Sequence, residues 1–170
     1  MLKWIFFDLG STLIDETDCI EFRVAETLKQ AGAPSKEDFY RQMEYFASVN
    51  MLPYKDTVKK FGLEKVGWLK ELEKLYPESQ EVLQALHGRY KLGIIANQSA
   101  GTEERLVQFG IRDYFDVVVA SAEAGVAKPD KRIFELALSQ ADCSACEACM
   151  VGDRLDNDIT PAAEMGMSTV

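Results

Sequence analysis

Residues 3–12, KWIFFDLGST, contain the strongest fold signal in the sequence. The first half of this stretch is continuously apolar and rich in strand-forming residues, and the second half carries the glycine and serine of a turn. The pattern predicts a buried strand that ends in a loop at Asp8. A strand that is apolar throughout, without alternating polar positions, is typical of a parallel sheet covered on both faces.

Three further segments repeat this pattern of a short apolar run followed by a polar turn. They are residues 92–96 before Asn97, residues 117–120 before Ser121, and residues 149–151 before Gly152 and Asp153. Helical patterns over 79–87, 102–109 and 129–139 alternate with them, which predicts an open α/β sheet with right-handed crossovers. Residues 166–170 have the pattern of a turn entering a fifth strand, and the sequence leaves open whether the chain continues past Val170.

The stretch between Asp15 and Pro77 breaks the alternation, because it contains no convincing strand. Helical patterns cover 18–30, 35–50, 55–61 and 66–75. The sequence therefore predicts an α/β core of residues 1–15 and 78–170, with a small helical domain of residues 16–77 inserted after the first strand. Insertions of this length in a compact domain are usually functional, and lids are a common use.

The composition is that of a globular protein with one sizeable core. The chain has 170 residues, of which 47% are hydrophobic, and a formal net charge of -9. A negative surface repels nucleic acid and anionic membranes, so neither is an expected partner. No apolar run reaches 18 residues, and Asp8 interrupts the apolar start with no cleavage site behind it, so we expect neither a membrane span nor a signal peptide. These features favour a cytoplasmic location, whereas nothing in the sequence indicates an oligomeric state.

Three of the four cysteines form a C-x-x-C-x-x-C run at Cys143, Cys146 and Cys149. An iron–sulfur cluster needs a fourth thiolate, for which only the distant Cys19 remains. We favour a packing role, because Cys149 begins an apolar strand and the other two flank a short turn.

The polar residues that follow the predicted strands point to one functional site. In an open parallel sheet, ligands bind outside the carboxyl ends of the strands. Asp8, Asn97, the loop from Ser121 to Lys128, and Asp153 all follow such strand ends. We expect their side chains to converge.

Four segments resemble the four motifs of the haloacid dehalogenase superfamily: 7–13 (FDLGSTL), 92–97 (LGIIAN), 128–130 (KPD) and 152–158 (GDRLDND). They occur in the order and at the spacing of that family and extend over nearly the whole chain. The resemblance implies a Rossmann-like three-layer α/β core with a parallel sheet. It also implies that the helical insert is the cap found in one branch of the family.

The resemblance assigns a role to each matched residue. Asp8 is the expected nucleophile, which attacks phosphorus to form an aspartyl-phosphate, and Lys128 is the expected catalytic cation beside it. The expected cofactor is Mg²⁺, bound by the carboxylate of Asp8, the backbone carbonyl of Gly10 and the carboxylate of Asp153. Asp158 is expected to bind the ion directly or through water.

Phosphate oxygens are expected to bind Asn97 and Lys128, but two positions depart from the family pattern. Phosphatases of the family carry a general acid two residues after the nucleophile, where this chain has Gly10. Such a group contributes about 10²–10⁴-fold to the rate. Ala96 stands where the family usually has a phosphate-binding serine or threonine, which removes one hydrogen bond.

These departures leave three functions open. The first is a Mg²⁺-dependent phosphohydrolase for a small phosphorylated or otherwise anionic substrate, weak or restricted to acyl and aryl phosphates with good leaving groups. The second is a regulatory module that binds metal and phosphate with little turnover. The third is a 2-haloacid dehalogenase, which needs no metal but uses an arginine near the site, for which Arg23 and Arg41 are the candidates in the insert.

Overall fold

The computed structural model describes residues 1–170, which divide into two compact units. One unit contains Met1–Asp15 and Lys74–Val170, and the other contains Glu16–Glu73. The first is an α/β unit, whereas the second is built from helices. None of the helices combines the length and the apolar character that crossing a bilayer requires.

The regular elements alternate in the α/β unit and are all helical in the other. The strands are β1 (Trp4–Phe7), β2 (Ile14–Asp15), β3 (Lys74–Leu75), β4 (Lys91–Ala96), β5 (Val117–Ala120), β6 (Ala148–Val151) and β7 (Ser168–Thr169). The α-helices are α1 (Thr17–Thr27), α2 (Lys36–Ser48), α3 (Pro53–Lys60), α4 (Ser79–Leu86), α5 (Thr102–Gln108), α6 (Ser121–Ala124), α7 (Lys131–Gln140) and α8 (Thr160–Glu164). A π-helical turn, Leu155–Ile159, precedes α8.

Five strands form one parallel sheet in the order β5-β4-β1-β6-β7. The central strand β1 pairs with β4 on one side and with β6 on the other, so that Phe7 lies beside both Ile94 and Val151. After β5 the chain crosses to the opposite side of β1 to form β6. The carboxyl end of β1 therefore lies where the strand order changes direction, the position at which open α/β sheets bind ligands.

Successive residues of β1 contact two different hydrophobic cores, one on each face of the sheet. Trp4 and Phe6 belong to the core that includes Ile133 and Phe134 of α7. Ile5 and Phe7 belong to the other core, with Leu83 of α4 and Leu106 of α5. Burial on both faces explains why the strand is apolar at every position. The predicted three-layer α/β fold with a parallel sheet is confirmed.

Helix α7 starts two residues later than its apolar pattern predicts. The predicted start is Pro129, but the helix begins at Lys131. The side chain of Asp130 accepts a hydrogen bond from the backbone N–H of Arg132 at 3.0 Å. Asp130 thus serves as the N-cap, which leaves Pro129 in the preceding loop.

The helical unit has a small core of its own around Phe39, Tyr54 and Val58. Arg23 fixes the segment after α3 onto α1: its guanidinium lies 3.7 Å from the centre of the Tyr54 ring, and its Nε donates to the carbonyl of Val66 at 2.9 Å. Helix α3 begins at Pro53, two residues before the predicted start, because proline suits the first turn of a helix.

Two predictions for the inserted segment are wrong. Residues 66–75 were expected to be helical, but they contain only a single 3-10 turn, Lys70–Leu72, and strand β3. The sequence also predicts no strand between Asp15 and Pro77, whereas β3 pairs antiparallel with β2. Strands of two residues are too short to show any alternation of polar and apolar positions, so the pattern could not indicate them.

The cysteines of the C-x-x-C-x-x-C run occupy different environments. Cys149 is buried within β6, Cys143 is half-buried, and Cys146 is exposed. Burial raises the pKa of the Cys143 and Cys149 thiols, which favours the neutral thiol over the thiolate that a metal would need. These environments fit the predicted packing role for Cys143 and Cys149, whereas the prediction is wrong for Cys146, whose side chain is exposed because it lies in the 3-10 turn before β6.

Candidate active site

Asp8 is the first residue after β1 and is almost fully buried, with 9% of its surface exposed. Its backbone N–H donates to the carbonyl of Val151 at 2.9 Å, which continues the β1–β6 pairing past the end of the strand. The position of the carboxylate is therefore fixed by the sheet itself.

Lys128 joins two of the predicted site residues through its side chain. Its Nζ lies 2.6 Å from Oδ1 of Asp8 and 2.5 Å from Oδ1 of Asp158. Lys128 is 5% exposed and Asp158 is 1% exposed. Charge-assisted hydrogen bonds of this length, shielded from water, fix the ammonium group between the two carboxylates.

The loop after β6 supplies two further carboxylates. Asp153 follows the strand closely and is exposed, and Asp158 lies in the π-helical turn. The Oδ2 atom of Asp158 accepts the backbone N–H of Arg154 at 3.0 Å, so both oxygens of Asp158 are hydrogen-bonded. A Cβ atom added at Gly152 would lie 2.6 Å from the carboxylate carbon of Asp158, so this close approach requires a glycine.

Asp8, Asp153 and Asp158 form one acidic cluster, in which one ligand oxygen of each lies within 4.8 Å of the others. Lys128 is the cation that pairs with Asp8 and Asp158, so three ionised carboxylates and one ammonium leave two negative charges uncompensated. Burial, more than the neighbouring charge of Asp158, raises the pKa of Asp8 to about 6. Although Asp153 is exposed as a residue, partial desolvation of its carboxylate raises its pKa, and the charge of Asp158 raises it further. Hard oxygen ligands with excess negative charge suit a divalent cation such as Mg²⁺.

Asn97 contacts the backbone of Lys128 with both ends of its amide. Its Nδ2 donates to the Lys128 carbonyl at 2.8 Å, and its Oδ1 accepts the Lys128 N–H at 2.7 Å. The structure thus brings Asn97 to the predicted site, where its amide oxygen and one of its two N–H donors bind the protein backbone.

Two polar features beside the site were not identified from the sequence. Arg154 donates from Nε and Nη2 to the carboxylate of Asp156, at 2.9 and 2.5 Å. Ser121 exchanges two hydrogen bonds of 3.1 Å with the backbone N–H and carbonyl of Gln98. The arginine and aspartate are separated by one residue in the loop after β6, a spacing that could have suggested the pair. The contact between Ser121 and Gln98 joins two strand ends 23 residues apart and has no local signal.

Comparison with known proteins identifies the family of the chain. A family model described as haloacid dehalogenase-like hydrolase matches residues 5–170, nearly the whole chain. The chain belongs to this family. The predicted resemblance is confirmed, and so is the prediction that the chain is a hydrolase of this type.

Relatives of this haloacid dehalogenase-like hydrolase include phosphatases and a nucleotidase. The chain is 32% identical to the glyceraldehyde 3-phosphate phosphatase of Methanothermobacter thermautotrophicus, over all of this chain and 85% of that protein. It is 44% identical to the pyrimidine 5'-nucleotidase YjjG of Escherichia coli over 95 residues, which span 55% of this chain and only 42% of the nucleotidase. Among solved structures, a HAD phosphatase from Thermococcus onnurineus superposes with a TM-score of 0.71 at 25% identity, covering 99% of this chain and 85% of that one.

Proposed function

We propose that this protein is a Mg²⁺-dependent phosphohydrolase that uses Asp8 as its nucleophile. The observation that carries the proposal is the position of Lys128, whose ammonium lies between Asp8 and Asp158 within the acidic cluster. A buried lysine shared by two carboxylates at the carboxyl end of the central strand is an arrangement for handling an anionic group.

Asp8, Lys128 and Asp158 each have a distinct part in the proposed reaction. The carboxylate of Asp8 attacks the phosphorus atom and forms an aspartyl-phosphate, which water then hydrolyses. Lys128 holds the nucleophile in place and offsets the negative charge that develops on the phosphoryl oxygens. Asp158 in turn orients Lys128, because its two oxygens bind the ammonium and the backbone N–H of Arg154.

The cluster fits a bound magnesium ion. Asp8, Asp153 and the backbone carbonyl of Gly10 would hold the ion, and Asp158 would bind it directly or through water. The two uncompensated negative charges match a divalent cation, and Asp153 has no ion-pair partner that would compete. When bound, Mg²⁺ supplies the positive charge that lets a phosphate group approach the carboxylates.

The proposed substrate is a small phosphorylated molecule in a cytoplasmic setting. The activities of two relatives support this class, since one is a pyrimidine 5'-nucleotidase and the other a glyceraldehyde 3-phosphate phosphatase. We propose that the helical unit, Glu16–Glu73, acts as the cap that selects among such substrates. Gly10 cannot donate a proton to the leaving group, so we expect acyl and aryl phosphates to react faster than alkyl monoesters.

A panel of phosphate esters tests the proposal, with and without Mg²⁺, on the wild type and on Asp8→Asn. We expect hydrolysis of an aryl phosphate that requires Mg²⁺ and disappears in the variant. Asp156→Asn is the control, because it changes an aspartate of the loop after β6 that lies outside the cluster. Equal rates in the wild type and in Asp8→Asn would exclude Asp8 as the nucleophile.

A second candidate function is a module that binds metal and phosphate with little turnover, which the absent acid at Gly10 favours. Saturable binding of both without product formation would support that function.

The dehalogenase alternative has less support. Arg23 is engaged with Tyr54 and Val66, and Arg41 forms an exposed ion pair with Asp38. Chloride release from a 2-haloacid in the absence of metal would support the dehalogenase function instead.

A further inference from the structure

Gly10 affects both halves of the proposed reaction. In the first half an acid protonates the leaving oxygen, and in the second half a base removes a proton from the attacking water. A glycine two residues after the nucleophile can do neither. Its φ angle is not in the left-handed region, so the backbone itself does not require glycine at this position.

None of the three side chains that the structure places against Asp8, which are Lys128, Asp153 and Asp158, is free to act as a substitute base. Lys128 shares its protons between Asp8 and Asp158, and Asp158 uses both of its oxygens as hydrogen-bond acceptors. Asp153 is committed to the cation in the proposed function. The single histidine, His87, precedes β4 at the opposite end of the strands and contacts Tyr114.

We propose that Asp8 accepts a phosphoryl group from acyl phosphates and retains it as a long-lived aspartyl-phosphate. The inference rests on the proposed function, because it needs Asp8 as the nucleophile. It goes further by assigning the chemical class of the donor and by making the phosphorylated protein the species that accumulates.

The first step requires no proton transfer when the donor is an acyl phosphate. A bond forms between an Asp8 oxygen and phosphorus while the bond between phosphorus and the acyl oxygen breaks. The acyl oxygen leaves with the bonding electron pair as a carboxylate, which is stable without a proton at neutral pH. The absence of an acid at Gly10 therefore costs little in this half of the reaction.

The second step does require a proton transfer. Water oxygen bonds to phosphorus, the bond from phosphorus to Asp8 breaks, and Asp8 regains its electron pair as a carboxylate. The attacking water must lose a proton, and none of the three side chains clustered with Asp8 is free to take it. Hydrolysis is then slower than phosphorylation, so that the protein behaves as a stoichiometric phosphoryl acceptor that turns over slowly.

The experiment treats the full chain with acetyl phosphate and Mg²⁺ and follows the intact mass over time. We expect the mass of one phosphoryl group to appear on nearly every wild-type molecule and to persist after the donor is removed. Asp8→Asn should remain unlabelled. Turnover that depends on Asp8 but leaves no labelled protein would overturn this inference and leave the proposed function intact. No label and no turnover with any donor would overturn both.

Substitution at position 10 separates a missing base from any other cause of slow hydrolysis. Gly10→Asp should release the phosphoryl group about 10²-fold faster than the wild type. Gly10→Asn, which has nearly the same shape but cannot take a proton, should retain it as the wild type does. Equal release rates in the two variants would show that a base at position 10 is not what limits hydrolysis.

Discussion

Asn97 illustrates how one residue can take a role different from the one its position suggests. It follows a strand end where phosphate-binding groups are expected, yet both ends of its amide bind the backbone of Lys128. These two bonds fix the backbone of Lys128, from which the ammonium between Asp8 and Asp158 extends. We therefore regard Asn97 as a positioning residue that acts through Lys128.

Replacing Asn97 tests this role at the level of a single side chain. Asn97→Ala should lower kcat about 10–100-fold with little change in KM, because loss of a supporting hydrogen bond misplaces Lys128 without removing a substrate contact. Asn97→Asp keeps the acceptor for the Lys128 N–H but sets a carboxylate oxygen against the Lys128 carbonyl, so it should lose at least as much. An increase in KM with unchanged kcat would show instead that the amide binds substrate.

The pKa of Asp8 predicts how stability depends on pH when no metal is bound. Burial raises this pKa from 3.8 to about 6, so the folded protein holds the proton more tightly than the unfolded chain. The resulting stabilisation is fully present below about pH 4 and is lost as the pH rises through about 6. Between these two pH values, a pKa raised from 3.8 to about 6 lowers the free energy of unfolding by about 3 kcal/mol.

Denaturant unfolding in a chelator, at several pH values, measures this effect. The free energy of unfolding of the wild type should fall relative to that of Asp8→Asn by about 3 kcal/mol between about pH 4 and pH 7. The variant serves as the control, because its amide does not titrate while all other groups remain. Parallel pH curves for the two proteins would contradict the prediction.

At the scale of elements, the turn after β6 depends on a glycine for its shape. The chain leaves the strand at Gly152 and returns through the π-helical turn, so that Asp158 packs directly over the glycine. Gly93, within β4, is equally crowded, but there an added Cβ would lie 2.5 Å from the ring of Phe6. One glycine thus makes room for a site residue, and the other makes room for the core.

Alanine at these two positions should therefore have different consequences. Both Gly152→Ala and Gly93→Ala should lower the free energy of unfolding by about 1–3 kcal/mol, since each overpacks a buried region. Only Gly152→Ala should also weaken Mg²⁺ binding, measured by calorimetry, because it displaces Asp158. Gly67→Ala is a neutral control, since its added Cβ meets no atom within 4 Å. Equal Mg²⁺ affinity in both crowded variants would contradict the assignment.

At the scale of the whole molecule, acidic side chains outnumber basic ones. The chain carries a net charge of -9, and two of its uncompensated negative charges lie together in the acidic cluster. Repulsion among the clustered carboxylates opposes folding until a cation is bound. The stability of the folded chain should therefore depend on Mg²⁺ by mass action.

Thermal unfolding with and without Mg²⁺ measures this dependence. A concentration of one hundred times Kd should stabilise the wild type by about 2.7 kcal/mol, which raises Tm by about 5–10 °C for a chain of this size. Asp153→Asn should lose most of this shift, whereas Asp156→Asn should keep it. The same increase in Tm in the wild type and in Asp153→Asn would indicate that the stabilising ion binds elsewhere.

The predictions for the strands of the main sheet depend on short contiguous patterns and are confirmed, whereas those for residues 66–75 are wrong because contacts between distant residues decide their structure. The strands of the main sheet are buried on both faces, so their apolar runs are visible without knowledge of their neighbours. The pairing of β2 with β3 joins residues about 60 positions apart, and neither two-residue strand has a pattern of its own. The predicted helix over 66–75 failed for a related reason, because Arg23 and Tyr54 hold Val66 through contacts made in the folded unit.

The sequence by itself determined the α/β class, the family, and the positions of the acidic residues at strand ends, because all of these depend on short contiguous patterns. Only the tertiary structure decided which atoms meet. It places Lys128 between Asp8 and Asp158, and it joins the amide of Asn97 to the backbone of Lys128 by hydrogen bonds. Such contacts join residues 30 to 120 positions apart. Their geometry is set by the packing of whole elements against one another, which no local pattern records.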